Sequence, residues 1–244
     1  MKIIFAGPTF YSASLSLPAD VQLRPPAKQG DFYKAVREGA NVIGLVDGVY
    51  EHVPAIWHKE ILFGLSEGVR VFGAASMGAL RAAECAAFGM IGIGAIYEGY
   101  ANGSFENDSD VAQSHAPAEM GFLPLSEPVV NVRATLDRLR NLSLVSQTER
   151  DLLDAASNAT FFKNRTYKKL ARAAIQDEER SSTVASLLRD NSVNLKLQDA
   201  MLLVDAVLEA PDHRTNPDFD WTFEATTFWK SVVAELERPP QDPG

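Results

Sequence analysis

Cysteine is almost missing from this sequence of 244 residues, because Cys85 is the only one. A single cysteine cannot form a disulfide within the chain. Long apolar runs are missing as well, since the N-terminal run at residues 3–6 is too short for a membrane span or for the apolar part of a signal peptide. These absences predict a cytoplasmic protein with no membrane segment.

Basic residues are scarce relative to acidic ones, with 23 Lys and Arg against 32 Asp and Glu and a formal net charge of −9. A nucleic-acid partner requires a basic face that neutralises phosphates, so we expect none. One basic stretch, residues 163–172, could form a patch but is explained more simply as a solvated helix face. His52, His58 and Glu60 do not have the spacing of metal ligands, and we predict neither a metal nor a cofactor.

The first 100 residues alternate short apolar, β-rich runs with amphipathic stretches. This pattern predicts parallel strands joined by crossover helices, and therefore an α/β fold with a small, mostly parallel sheet in a Rossmann-like three-layer arrangement. The predicted strands cover residues 2–6, 21–23, 41–46 and 69–73, and helices are predicted over 31–38 and from Pro54 to Gly68.

After residue 100 the pattern changes to a loop rich in acids and glycine, 101–121, and then to helical signals. Ser126 marks a helix start, and residues 146–149 form a capping box at the start of another helix. Further helices are predicted over 167–175, 182–189 and 195–208. We therefore predict an α/β domain over 1–139, a helical region over 140–236 and a disordered tail over 237–244.

A turn of small residues after the fourth predicted strand is the candidate centre of the chemistry. Ala74, Ser76 and Gly78 have the small-x-Ser-x-Gly spacing of a nucleophile elbow between a strand and a helix. Such a turn places the Ser76 hydroxyl at the carboxyl end of a strand. It also points the amides of Met77 and Gly78, with the positive end of the helix dipole, at any ligand there. From the residues alone, Ser76 is a nucleophile, part of an anion site or a plain helix N-cap.

A serine nucleophile requires a base, and several candidates lie nearby in the sequence. Asp47 ends the third predicted strand, which should lie beside the fourth, so its carboxylate is one of them. His58 and Lys59 on the following helix and His115 in the acidic loop are others. Further charged side chains in the same stretch are Glu51, Glu60, Arg81 and Glu84, and the last two are also explained as an i,i+3 helix pair.

Several longer blocks of the sequence resemble the TfuA-like family. They are IGLVDG at 43–48, VPAIWHKEIL at 53–62, FGAASMGALRAAE at 72–84, FGMIGIG at 88–94 and PLSEPVVNVRATL at 124–136. The blocks follow one another in the family's order between about residues 40 and 136. Residues 140–244 carry no recognisable motif.

The resemblance implies a role in thioamidation of a peptide backbone. TfuA-like proteins are thought to hydrolyse a thiocarboxylated ThiS-like sulfur carrier and so to supply sulfide to a YcaO-type enzyme, which activates an amide oxygen of a ribosomal precursor peptide with ATP. Helping that enzyme to hold its peptide is a second implied role. With the resemblance included, the candidate catalytic residues are Ser76, Asp47, His58 and Lys59, and the candidate binding residues are Met77, Gly78, Arg81, Glu84 and Glu51.

Two mechanisms and two further functions stay open at this point. Either Ser76 attacks the thiocarboxylate carbonyl, or water does so after activation by His58 or Asp47, with Ser76 positioning the thioacid. A different function is that of a non-catalytic adaptor that docks the carrier or peptide onto the YcaO-type enzyme. A third is nucleotide or phosphate binding at the same helix N-terminus. The oligomeric state is also open, a homo-oligomer included.

Overall fold

Five parallel strands form one sheet in the N-terminal half of the chain. The computed structural model describes residues 1–11, 13, 15–49 and 53–238. The strands are β1 (Lys2–Phe5), β2 (Val21–Arg24), β3 (Val42–Leu45), β4 (Arg70–Ala74) and β5 (Ile91–Ile93). Their order in the sheet is β2-β1-β3-β4-β5, and every neighbouring pair is parallel. The predicted α/β fold is confirmed, and β5 is a strand that the sequence pattern did not predict.

Three crossover helices cover one face of the sheet: α1 (Asp31–Arg37), α2 (His58–Ser66) and α3 (Met77–Cys85). Phe32 of α1 and Ile61 of α2 are fully buried against this face. Helix α2 begins at His58 and not at Pro54, because the carboxylate of Glu60 accepts the amide of Trp57 at 3.3 Å and caps the helix there. A further short helix, α4 (Ala95–Ala101), follows β5.

The other face of the sheet is covered by α9 (Leu195–Glu209), a helix from the C-terminal half of the chain. Leu203 and Val207 of α9 are buried against the sheet. The absence of a side chain at Gly44 allows this approach, because a Cβ there would lie 2.7 Å from Cδ2 of Leu203. Helix α9 therefore forms the third layer, although it comes after most of the helical region in the sequence.

The remaining helices of that region are α5 (Val129–Asn141), α6 (Gln147–Ala159), α7 (Tyr167–Ala174), α8 (Glu178–Asp190) and α10 (Thr227–Leu236). Helices α5 to α8 share a core of their own, which includes Leu136, Leu153 and Val184. The capping box predicted at residues 146–149 is confirmed, because the Ser146 hydroxyl accepts the Glu149 amide at 3.1 Å and the Glu149 carboxylate accepts the Ser146 amide at 2.7 Å.

Helix α10 was not predicted, and its Trp229 packs against the rings of Tyr33 and Phe63 on α1 and α2. The domain boundaries at 139 and 236 stay predictions, and residues 239–244 of the predicted tail lie outside the described residues. Within the described ranges, every helix is too short or too polar to cross a membrane.

Candidate functional site

A cavity of approximately 400 Å³ lies at the carboxyl ends of β3 and β4. Asp47 comes two residues after β3, and Ser76 comes two residues after β4. The chain leaves β1 toward the face covered by α9, whereas it leaves β3 and β4 toward the face of α2 and α3. In open parallel sheets, such a reversal between neighbouring strands opens a crevice that is the usual place for a ligand.

The lining of this cavity comes from three parts of the chain. The edge of the sheet and α3 supply four of the predicted site residues, Asp47, Ser76, Met77 and Arg81. The acidic loop predicted over 101–121 forms a second wall, and the helical half forms the third. The polar side chains from these two walls are Asp108, Gln113, Ser114, His115, Lys163 and Lys196.

Ser76 lies at the N-terminus of α3 and is 9% exposed. Its side chain makes no capping hydrogen bond to the helix, which argues against the plain N-cap among the three interpretations. The positive φ of the turn, +67°, belongs to Ala75, whereas Ser76 has a φ of −118°. The backbone reversal therefore falls one residue earlier than in a nucleophile elbow, where the serine itself occupies the strained position.

Only one of the two predicted amide donors is available to a ligand. The Gly78 amide donates to the Val46 carbonyl at 3.1 Å. A Cβ at Gly78 would lie 1.8 Å from the Leu45 oxygen, so this glycine lets α3 pack directly on the end of β3. The amide of Met77, in contrast, has no acceptor among the described residues, as expected for the first residue of a helix.

Asp47 is a buried carboxylate that backbone and side-chain donors hold in place. Its Oδ2 accepts the amides of Gly7 at 2.9 Å and Thr9 at 3.0 Å, and its Oδ1 accepts the Thr9 hydroxyl at 2.7 Å. These bonds tie the end of β3 to the turn after β1. They also fix the direction in which Asp47 faces the cavity.

Among the described residues, Asp47 forms an ion pair with Lys196, which is not one of the site residues predicted from the sequence. Lys196 is 3% exposed, and its Nζ lies 4.0 Å from Oδ1 of Asp47 and donates to the Val111 carbonyl at 3.2 Å. Burial lowers the pKa of the Lys196 ammonium, and the attraction of Asp47 offsets only part of this effect. Its backbone amide donates to Oδ1 of Asn131 on α5 at 3.1 Å, so α5 fixes the start of the helix that carries this lysine.

A signal for Lys196 exists in the sequence, although it is weak. This lysine and Asp199 are the charged residues in the first two turns of a strongly apolar helix, residues 195–209. Asp199 accepts the amides of Ala95 and Ile96 and so caps α4. A charged side chain in an apolar helix is buried only when it has partners. Lys196 has Asp47 and the Val111 carbonyl, and Asp199 has the two amides at the start of α4.

The structure does not bring His58, Glu84 or Lys59 to the lining of the cavity. Nε2 of His58 lies 2.7 Å from the Glu84 carboxylate on the outer surface, where both side chains are more than a third exposed. Burial alone would raise the pKa of Glu84, but hydrogen bonds from His58 and Arg81 outweigh it and hold this pKa below its ordinary value. Nζ of Lys59 lies 4.7 Å from the ring centre of Phe223. Glu51, also predicted, lies outside the described residues.

His115 does line the cavity, with its Nδ1 2.8 Å from the carbonyl of Ala116. Arg81 connects the cavity to the surface pair, because its guanidinium contacts Glu84 and donates to the Ile56 carbonyl at 3.3 Å. Among the residues that the structure describes, no group of three or more His, Cys, Asp or Glu side chains is arranged to hold a metal ion.

The fold and the site define a three-layer α/β protein with a cavity at the carboxyl edge of a parallel sheet, where charged side chains lie among apolar ones. The model of the family described as TfuA-like protein matches residues 47–166, about half of the chain, and this range contains Asp47 and Ser76. The chain belongs to the TfuA-like family. Comparison with curated proteins gives no match. Lys196, which is buried beside Asp47, lies beyond the matched range.

Proposed function

We propose that this protein is a hydrolase that releases sulfide from the thiocarboxylated C-terminus of a ThiS-like carrier. The sulfide would serve a YcaO-type enzyme that thioamidates the backbone of a ribosomal precursor peptide. Family membership is the reason for proposing this pathway. The observation that supports hydrolysis is the meeting of Ser76, Asp47 and the buried Lys196 at one cavity.

The charge of the cavity suits a thiocarboxylate. This group is an anion, and its carbonyl carbon resists attack until the negative charge is offset. Arg81 and Lys163 line the cavity beside the carboxylates of Asp47 and Asp108, and the N-terminus of α3 adds the free amide of Met77 to these cations. The volume of approximately 400 Å³ admits the last residues of a carrier and leaves its folded part outside.

In the serine route, the Ser76 hydroxyl attacks the thiocarboxyl carbon while the neutral amine of Lys196 takes its proton. The lowered pKa of Lys196 makes the neutral amine accessible to this step. The Lys196 ammonium returns this proton to the sulfur, and the tetrahedral intermediate expels hydrosulfide and leaves the carrier esterified to Ser76. Water cleaves the ester, which frees the carrier carboxylate and the Ser76 hydroxyl.

In the water route, Lys196 takes a proton from a water molecule that attacks the same carbon, and Ser76 only orients the thiocarboxylate. Both routes have the same balance, in which a thiocarboxylate anion and one water give a carboxylate anion and hydrogen sulfide. Asp47 has the same role in each, because its negative charge stabilises the ammonium form of Lys196 that proton uptake creates.

The test is sulfide release from a purified thiocarboxylated carrier with no YcaO-type enzyme present. A hydrolase releases sulfide with turnover, whereas an adaptor binds the carrier and releases none. Ser76→Ala should lower kcat by about 1,000-fold or more if the serine route operates. Near wild-type release by this variant would overturn the serine route. The exposed Ser192→Ala is the matched control and should leave release unchanged.

A further inference from the structure

A second cavity, of approximately 730 Å³, lies in the helical half of the chain between α7 and α8. We call it the α7–α8 groove. It shares no lining residue with the cavity of Ser76, and all of its lining lies beyond the range matched by the family. Its lining comes from α7, from α8 and from the residues that join them.

The charge of the groove is opposite to that of the whole protein. Lys168, Arg172 and Arg189 face a single carboxylate, Glu178, although the chain carries a formal net charge of −9. Arg189 is paired with Asp190 at 3.0 Å. Lys168 and Arg172 have no ion pair within the described part of the chain. Two cations of the basic stretch at 163–172 are therefore free to meet an anionic partner.

In addition to the positive charge, the groove has a row of small side chains along the wall formed by α8. Ser182, Ala185 and Ser186 lie on one side of this helix at spacings of three and four residues, and their small side chains allow another backbone to approach closely.

We propose that the α7–α8 groove binds an acidic peptide segment of a partner protein. The carboxylates of the segment face Lys168 and Arg172, and its backbone lies against the small side chains of α8. The carboxylate of Glu178 within the groove repels a uniform polyanion, whereas a peptide can place an uncharged or basic residue there. The proposal is independent of the hydrolase function, because the groove contains none of the residues assigned to hydrolysis.

The probe for this proposal is a fluorescein-labelled ten-residue peptide of alternating Glu and Ala, with binding followed by anisotropy on the full-length protein. Lys168→Glu and Arg172→Glu combined should weaken binding by about ten-fold or more. Lys169→Glu is the matched control, because Lys169 is an exposed neighbour on α7 that bonds to Asn164 and does not line the groove. It should change the dissociation constant by less than about two-fold.

A variant that fills the groove without changing its charge distinguishes binding in the groove from non-specific electrostatic attraction of the peptide to the protein surface. Ser182→Trp places a large side chain at an exposed lining position and should also weaken binding by about ten-fold. Equal loss with Lys169→Glu, no loss with Ser182→Trp, or equally tight binding of inorganic polyphosphate would overturn the proposal. Circular dichroism melting of each variant shows whether it is folded, and sulfide release should stay at the wild-type rate in all of them.

Discussion

Lys196 is the residue whose chemistry decides how the proposed reaction proceeds. If its neutral amine is the base, kcat/KM should rise with pH as the amine loses its proton, at a pH below the ordinary lysine value of about 10.4. Lys196→Arg keeps a positive charge beside Asp47 but cannot lose a proton at these pH values. We expect this variant to lose about 100-fold or more in kcat, measured as sulfide release between pH 6 and 9.5.

Carrier binding is the control for this prediction, because the cations Arg81 and Lys163 that line the cavity are unchanged in the variant. The dissociation constant for the thiocarboxylated carrier, measured by calorimetry, should change little in Lys196→Arg. If the variant instead keeps its kcat, Lys196 acts only through its charge and another group is the base. His115 is then the next residue to replace, since it lines the same cavity.

At the scale of single residues, the sequence predicted those site residues that follow directly from strand ends. Asp47 and Ser76 each come two residues after a buried strand, and parallel strands place such residues at one edge. The pairing of His58 with Glu84 on the outer surface depends on the rotation of α2 and α3 about their axes. Lys196 depends on the return of a distant helix, which no local pattern encodes.

At the scale of elements, the contact between α3 and β3 places Ser76. A Cβ at Gly78 would lie 1.8 Å from the Leu45 oxygen, so Gly78→Ala must move the start of α3 away from the sheet. We expect a lower melting temperature and at least a ten-fold loss of sulfide release, because a small displacement of catalytic groups costs about two orders of magnitude. Ala83→Gly in the same helix is the control. It should lower stability by about 1 kcal/mol and leave the rate unchanged.

The start of α6 gives a prediction of pH dependence. Hydrogen bonds from Arg180 on α8 and from Ser146 lower the pKa of Glu149 to about 2. Because the folded pKa is below the unfolded value of about 4.3, the stabilising effect is complete above pH 4.3 and is lost as the pH falls toward 2. In urea unfolding, Glu149→Gln should lower the free energy of unfolding at pH 7 and flatten its fall between pH 4.5 and 2.

Glu179→Gln is the comparison for this effect, since Glu179 is an exposed carboxylate in the first turn of α8. It should follow the wild-type dependence on pH. An unchanged pH profile in Glu149→Gln would show that the contact between Glu149 and Arg180 does not stabilise the fold in solution.

Elements with a strong periodic pattern were predicted well, and weakly patterned ones were not. The capping box at 146–149 and the four strands predicted from the sequence have local signals that the fold preserves. Strand β5 has only three residues with Gly92 at its centre, and α10 is held by rings on α1 and α2. Contacts with neighbouring elements stabilise such short segments. Their own residues therefore give only a weak signal of their secondary structure.

At the scale of the whole molecule, the return of α9 to the sheet joins the two halves of the chain. The sequence predicted this helix but not its place, because its apolar side chains suit any buried surface. Leu203 of α9 is fully buried and packs beside Gly44 of β3, whereas Leu202 is 53% exposed. The same helix carries Lys196 into the cavity.

The two neighbouring leucines therefore give a matched pair of substitutions. Leu203→Ala should lower the free energy of unfolding by about 2–5 kcal/mol, because it leaves a cavity between α9 and the sheet. Leu202→Ala should change it by less than about 0.5 kcal/mol. Urea unfolding followed by tryptophan fluorescence measures both. Since α9 also positions Lys196, Leu203→Ala should lower sulfide release under conditions in which the variant is still folded. Equal stabilities of the two variants would contradict the placement of α9 on the sheet.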